Sequence, residues 1–277
     1  MDYEIISLGW NCQPRTYLTK NELISDKKHG RKSMVFDLTI HHTKGLIQIL
    51  KSNFADYFEN IEYGFYEPFG LNYWQNKKYD IVFNHDGAFK ENDFEKLKER
   101  YQPRIDNFKE VLNSDKFLFF VHNLDETSGC DEIKELYYVL KDLRGEKPFK
   151  LLVWSTFRNI ENTIENVEIY SNLHPYKDFS DWFKPELQTK KSKIWVKDLC
   201  KFVKKEIENQ GFEVEIFKTN LSDKIKNFVR PILKNVFTIT NDGQLNAKIL
   251  ILLGIKIKLK KLKWGNYVNK LISKNNR

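Results

Sequence analysis

The 277 residues are 41% hydrophobic, 14% aromatic and 30% charged with only 12 Gly and 7 Pro, enough to bury a sizeable core and too rich in aromatics for a disordered, collagen-like or low-complexity chain. Three cysteines, Cys12, Cys130 and Cys200, form no CxxC pair, so neither a disulfide framework nor a Cys-rich zinc site is expected, and a reducing compartment is the simpler reading. The net charge of +8 is confined to one end: residues 222–277 hold 13 of the 46 basic side chains and two of the 38 acids, a net of +11, leaving the first 221 residues at −3, which argues against a nucleic-acid partner and for a near-neutral body with a basic attachment.

In chain order, residues 4–8 read as a first strand ended by Gly9, and 13–19 as a helix with Pro14 in its first turn. Leu46, Ile47 and Leu50 share one face of a helix over 44–50. Residues 79–83 read as a second strand stopped by the loop Asn84-His85-Asp86-Gly87. A helical period runs over 92–112 through Phe94, Leu97, Tyr101, Ile105, Phe108 and Leu112, with Pro103 as a point of bending. The apolar runs at 116–121 and 149–154 carry the mark of strands buried on both faces. Helices are expected over 131–143 and 194–209, a shorter strand over 167–170 and a final one over 212–217.

Strand and helix alternating at this spacing is the pattern of an α/β fold: an open, mostly parallel sheet with helices on both faces, occupying residues 1–221 and followed by a basic C-terminal extension, 222–277. Ligands of such sheets bind beyond the carboxyl ends of the strands. The residues at those exits are Gly9-Trp10-Asn11-Cys12, Asn84-His85-Asp86, His122-Asn123, Ser155-Thr156 and Asn172-Leu173-His174. Cys12 is either a nucleophile whose thiolate a histidine or the following helix stabilises, or a small buried residue under the loop. Cys130 and Cys200 are read as structural. His85 and His122 both qualify as general base, with a neighbouring carboxylate or amide to fix the tautomer. The pair His41-His42 would need metal ligands from elsewhere, and no HExxH spacing is present. The sequence also lacks GxGxxG, GxxxxGK[ST], GxSxG and DxD, so no metal, nucleotide or other cofactor is expected.

These residues carry a resemblance. Ile6-Ser-Leu-Gly-Trp-Asn-Cys12, Arg31 and Ser33 leading into Val35-Phe-Asp37, Gly45-Leu-Ile, Asn53-Phe-Ala-Asp-Tyr-Phe58, Phe83-Asn-His-Asp86, and Tyr101-Gln-Pro-Arg104-Ile with Phe108 follow one another as in a bacterial family of unknown function labelled papain-like cysteine peptidase. The likeness covers about the first 200 residues; the family pattern is nearer Pro-Phe-Asp-Trp where this chain has Val35-Phe-Asp-Leu38. It implies a cysteine nucleophile at Cys12, a histidine at His85 and a supporting acid at Asp37 or Asp86. It also implies anion-binding or structural roles for Arg31 and Arg104; Asn11 and His122, at strand exits, join them as substrate-binding candidates. The position of Cys12 after a first parallel strand departs from papain, in which the nucleophile opens a long helix of an α-rich lobe, and a thiol–imidazole pair serves acyl transfer to water or to another acceptor equally well.

In the tail, Lys248-Ile-Leu-Ile-Leu-Leu-Gly-Ile255 runs into a stretch alternating apolar and basic residues to Lys263. Residues 248–263 form either a solvated basic edge strand or a segment that rests on an anionic membrane surface. Leu-Gly-Ile-Lys-Ile-Lys, residues 253–258, resembles the endings of bacterial capsule and lipopolysaccharide glycosyltransferases. The N-terminus has no basic n-region before its apolar run and no run approaches the roughly 20 residues of a membrane span, so the expectation is a cytoplasmic protein, peripheral at the inner membrane face.

The expected activity is cysteine-dependent hydrolysis or acyl transfer on a glycan, peptide or acyl substrate, linked to surface-polysaccharide biosynthesis. The alternatives are a glycan-modifying or glycosyl transferase with a nucleotide-linked donor, and a non-catalytic binding module.

Overall fold

The computed structural model describes residues 2–217 apart from 27–28, 67–70, 87, 162–163 and 176–188. The basic extension over 222–277, including 248–263, lies outside the described residues.

Four strands, β1 (Tyr3–Ser7), β6 (Phe117–Asn123), β7 (Phe149–Ser155) and β8 (Val167–Ser171), form an all-parallel sheet in the order β1-β6-β7-β8. The two central strands are the two continuous apolar runs of the sequence, buried on both faces from their second residue onward. Side chains alternate between two cores. Ile6, Leu8, Leu118, Phe120, Leu151, Val153 and Val167 face α3 (Phe94–Leu112) and α4 (Cys130–Arg144), while Ile5, Phe119, Val121, Leu152 and Trp154 face α1 (Gln13–Lys20) and α5 (Lys190–Asn209). The helix α3 runs unbroken through Pro103, with Leu97, Tyr101, Ile105, Phe108 and Leu112 as its buried stripe. The α/β class and the helices on both faces are as the sequence pattern indicates.

A second sheet departs from the expectation. Between α1 and α3 the chain builds β2 (Ile40–His41), α2 (Thr43–Lys51), β3 (Ile61–Tyr66), β4 (Leu71–Asn76) and β5 (Ile81–Phe83), and its strands pair antiparallel in the order β2-β5-β4-β3. The strand expected over 79–83 is therefore β5 of this sheet, and His85 does not stand at an exit of the parallel one. Gly45 lets α2 lie on this unit, since a Cβ there would come within 2.1 Å of the Tyr79 carbonyl oxygen. The first core is shared by the two sheets through Phe36, Tyr57, Phe83 and Tyr101.

Two further expectations are corrected. Residues 212–217 form no strand: Phe212 instead closes an aromatic cluster with Tyr3 and Phe117, and the Glu215 and Phe217 N–H groups donate to Tyr3 Oη and to the Glu22 carbonyl. Alternation of apolar residues there serves to cover the start of β1 and β6 rather than to pair with a strand. Cys130 is exposed at the start of α4, whereas Cys200 is buried in the α5 core as read.

Among the described residues, no helix is long and apolar enough to cross a membrane.

Candidate functional site

The exit of β1 continues alongside β6 for three residues: Leu8 N–H donates to the Val121 carbonyl at 2.9 Å and Trp10 N–H to that of Asn123 at 3.4 Å. Between them Gly9 is required by close approach. A Cβ there would lie 2.1 Å from Asn123 Oδ1 and 2.5 Å from Pro14 Cγ. The chain then turns into α1, whose N-cap position is Cys12 and which Pro14 helps to start.

Three buried carboxamides fix this turn, and their orientation follows from one backbone donor. Gln13 N–H donates to the Asn11 side chain at 2.9 Å, which only an oxygen can receive, so Asn11 presents Oδ1. Asn123 donates Nδ2 to that same Oδ1 at 3.0 Å and to Gln13 Oε1 at 3.3 Å. The outcome is that Asn11 Nδ2 and Gln13 Nε2, together with Asn123 Oδ1, are buried with no hydrogen-bond partner among the described residues. Two amide donors thus flank Cys12 in sequence, each held by its own oxygen. Trp10 and Phe157 meet beside the turn at 6.1 Å between ring centroids.

The Cys12 thiol is partly buried, and burial pushes its pKa above the ordinary value despite the Thr16 hydroxyl, which favours the thiolate. The stabilisation expected from the helix end is outweighed.

Behind the turn lies a second polar group. His122, fully buried, donates Nδ1–H to the Leu8 carbonyl at 2.7 Å, and its Nε2 stands 3.0 Å from Thr43 Oγ1. Thr43 Oγ1 is also 2.6 Å from Asp125 Oδ2, so one hydroxyl proton faces two acceptors. Burial pushes His122 down to about 4 and His41 down to about 3, so both rings are neutral near pH 7. Burial would raise Asp125, but it receives the Thr127, Thr43 and Ser128 hydroxyls and the N–H groups of the same three residues, which hold it far below the usual carboxylate range. Nδ1 of His122 is committed to the Leu8 carbonyl and the fully buried Nε2 faces Thr43 Oγ1, so the ring positions the β1 exit. Asp125 and Thr43 were not singled out from the sequence; the signal was Asp125-Glu-Thr-Ser128 ahead of α4, a run of short oxygen-bearing side chains suited to a helix start.

The remaining candidates stand elsewhere. His85 lies exposed in a 3-10 turn, Asn84–Asp86, where desolvation lowers its pKa, Asp86 opposing and Arg104 adding. No hydrogen bond or ion pair joins it to Cys12. A thiolate–imidazolium pair would lower the thiol and raise the imidazole; here the thiol is raised and the imidazole lowered. Asp86 is buried and takes Arg100 as an ion pair and the Tyr101 hydroxyl at 2.8 Å. Asp37 accepts Met34 N–H at 2.9 Å and faces Arg15 Nε at 3.4 Å, one turn beyond Cys12, so it anchors α1. Arg31 donates Nη2 to the Ile5 carbonyl of edge strand β1 at 3.1 Å. Arg104 lies over the Tyr101 ring at 4.5 Å. The structure therefore brings Asn11 and Cys12 together with His122 behind them, and separately groups His85, Asp86 and Arg104. Among the described residues no three His, Cys, Asp or Glu side chains converge as metal ligands.

Comparison with protein-family models, with curated proteins and with solved structures yields no match.

Proposed function

We propose that the protein is a cysteine-dependent acyl-transfer enzyme, a hydrolase or acyltransferase, with Cys12 as nucleophile and Asn11 and Gln13 as donors to the developing oxyanion. One observation carries this reading: among the described residues, Asn11 Nδ2 and Gln13 Nε2 are buried without a partner on either side of Cys12, while their oxygens are engaged. Donors fixed in advance and left unsatisfied suit charge that appears only during reaction, because no reorganisation is then needed. In the step envisaged, Sγ, deprotonated by solvent hydroxide, forms a bond to the acyl carbon as the bond from that carbon to the leaving group breaks, and the leaving group takes a proton from water. The thiol is raised by burial and no hydrogen bond or ion pair joins it to His85 in the free chain, so in this reading its proton leaves to solvent hydroxide before attack. The likeness of residues 253–258 to glycosyltransferase endings is the ground for placing the acyl acceptor in surface-glycan assembly at the inner membrane face.

A second reading, a non-catalytic binding module, is favoured by the raised thiol pKa. Incubating the full chain with p-nitrophenyl acetate separates the two. An acetyl group on the Cys12 peptide, absent from Cys12→Ala, supports the enzyme; acetylation confined to exposed Cys130 and lysines supports the module.

A further inference from the structure

A buried cation away from Cys12 lacks an acceptor. Arg104, on α3, is only 8% exposed, yet among the described residues its guanidinium makes no hydrogen bond or ion pair, and Nη1 is wholly enclosed. Its one described partner is the Tyr101 ring beneath it at 4.5 Å. The nearby carboxylate does not serve it: Asp86 is committed through Oδ1 to Arg100 and through Oδ2 to the Tyr101 hydroxyl. Arg100 in turn rests on Phe89 at 4.3 Å. Two guanidinium groups thus stand near one carboxylate that pairs only Arg100, and the uncompensated charge belongs to Arg104, the more buried of the two. That charge is felt by the Tyr57 and Tyr101 hydroxyls and by His85 at the surface beside it. An enclosed, unpaired guanidinium is costly, because removal from water is repaid only by an acceptor at hydrogen-bond distance. Its planar fork of N–H donors matches the oxygen pairs of carboxylates and phosphates.

We infer that Arg104, with His85 at its rim, forms an oxyanion-binding subsite for a carboxylate or phosphate group, independent of the chemistry at Cys12. The bound oxyanion supplies the acceptor that Asp86 does not and neutralises the excess charge between α3 and the Asn84–Asp86 turn.

The test is thermal denaturation of the full chain in chloride, in inorganic phosphate and in acetate, at constant ionic strength, for the wild type and Arg104→Met. A ligand that binds only the folded state raises Tm by mass action, by about 5–10 °C for a chain of this size at a hundredfold excess over Kd. The wild type should show such a rise in at least one anion, phosphate alone indicating a phosphate ester and acetate alone a carboxylate. Arg104→Met should show none and should melt in chloride no lower than the wild type, having lost an unpaired charge and kept an apolar side chain. The comparison subtracts any binding by the lysines of residues 222–277, which both proteins carry. A wild type unmoved by both anions, an equal rise in Arg104→Met, or an Arg104→Met protein that melts well below the wild type in chloride would each overturn the inference. If Arg104→Met does not fold, Arg104→Gln and Arg104→Lys are compared in the same way, and the response must fall in Gln and persist in part in Lys.

Discussion

Replacing Asp125 by Asn tests the polar group behind the candidate site with almost no change of shape. The carboxylate receives three N–H groups, from Thr43, Thr127 and Ser128, and the hydroxyls of the same residues, and by doing so ties the start of α2 and the approach to α4 to the end of β6. Asn offers one oxygen. Placed toward Thr127 and Ser128, it turns an NH2 group on the Thr43 N–H, which cannot rotate away. One buried backbone donor without an acceptor costs about 1–3 kcal/mol, and loss of the anion at the start of α2 adds about 0.3–1 kcal/mol. The expected destabilisation is about 2–4 kcal/mol at pH 7, read by urea unfolding followed by circular dichroism, or a fall in Tm of about 5–15 °C. Its pH dependence has a definite sign. The folded pKa of Asp125 is depressed, so its contribution is complete above the unfolded value near 3.9 and is lost as pH falls toward the folded one. The gap between wild type and Asp125→Asn should therefore narrow by about 1 kcal/mol between pH 5 and pH 3. A gap under about 0.5 kcal/mol at pH 7, or one that does not change with pH, would refute this account of Asp125.

Four other outcomes follow from the same geometry. Gly9→Ala places a Cβ 2.1 Å from Asn123 Oδ1 and should destabilise the fold by about 2 kcal/mol or more in the same unfolding assay, with the Asn11–Gln13–Asn123 contacts disturbed. Arg144, buried at the end of α4, donates to the carbonyls of Leu112, Ser114, Lys116 and Pro148, so Arg144→Met should cost about 2–4 kcal/mol although no acidic partner is lost. Iodoacetamide at pH 7, followed by peptide mass, should label exposed Cys130 first and the partly buried, raised thiol of Cys12 more slowly, with Cys200, pushed up to about 12 by burial, reacting only on unfolding. His85→Ala should leave the Cys12 rate of the free chain unchanged, since the two residues do not meet.

Much of the parallel layer was legible because its strands are buried on both faces and its helices carry long stripes. Phe117–Asn123 and Phe149–Ser155 announce themselves as apolar runs, and Trp195, Leu199, Val203 and Ile207 recur at helical spacing along α5. The antiparallel sheet was not, for a physical reason. β2 has two residues, β3 carries Glu62 and Gly64, and β4 reads Leu-Asn-Tyr-Trp-Gln-Asn, so these strands lack the apolar content that marks a buried strand. Missing them turned β5 into a parallel strand and put His85 at a ligand-binding exit that it does not occupy. At the site itself, the position of Cys12 followed from Gly9 and Pro14, which mark a tight turn into a helix. The pairing of Asn11 with Asn123 and of Thr43 with His122 and Asp125 joins residues about 80 or more apart in the chain, a link that no local pattern records. The raised Cys12 thiol was equally hidden, since it depends on how much protein packs around the sulfur.

The central claim is that Cys12 is acylated with the help of the two amide donors beside it. Single-turnover acetylation by p-nitrophenyl acetate, read as the mass of the Cys12 peptide, measures this in the wild type, Asn11→Asp and Gln13→Glu. Each substitution keeps the engaged oxygen and exchanges the free NH2 for a charged oxygen that cannot donate, and rates are compared at a pH above the thiol pKa of each protein. The account predicts a fall of about 100-fold or more for each variant with the fold intact, the usual consequence of removing one oxyanion donor. Acetylation of Cys12 at wild-type rate in both variants would contradict it.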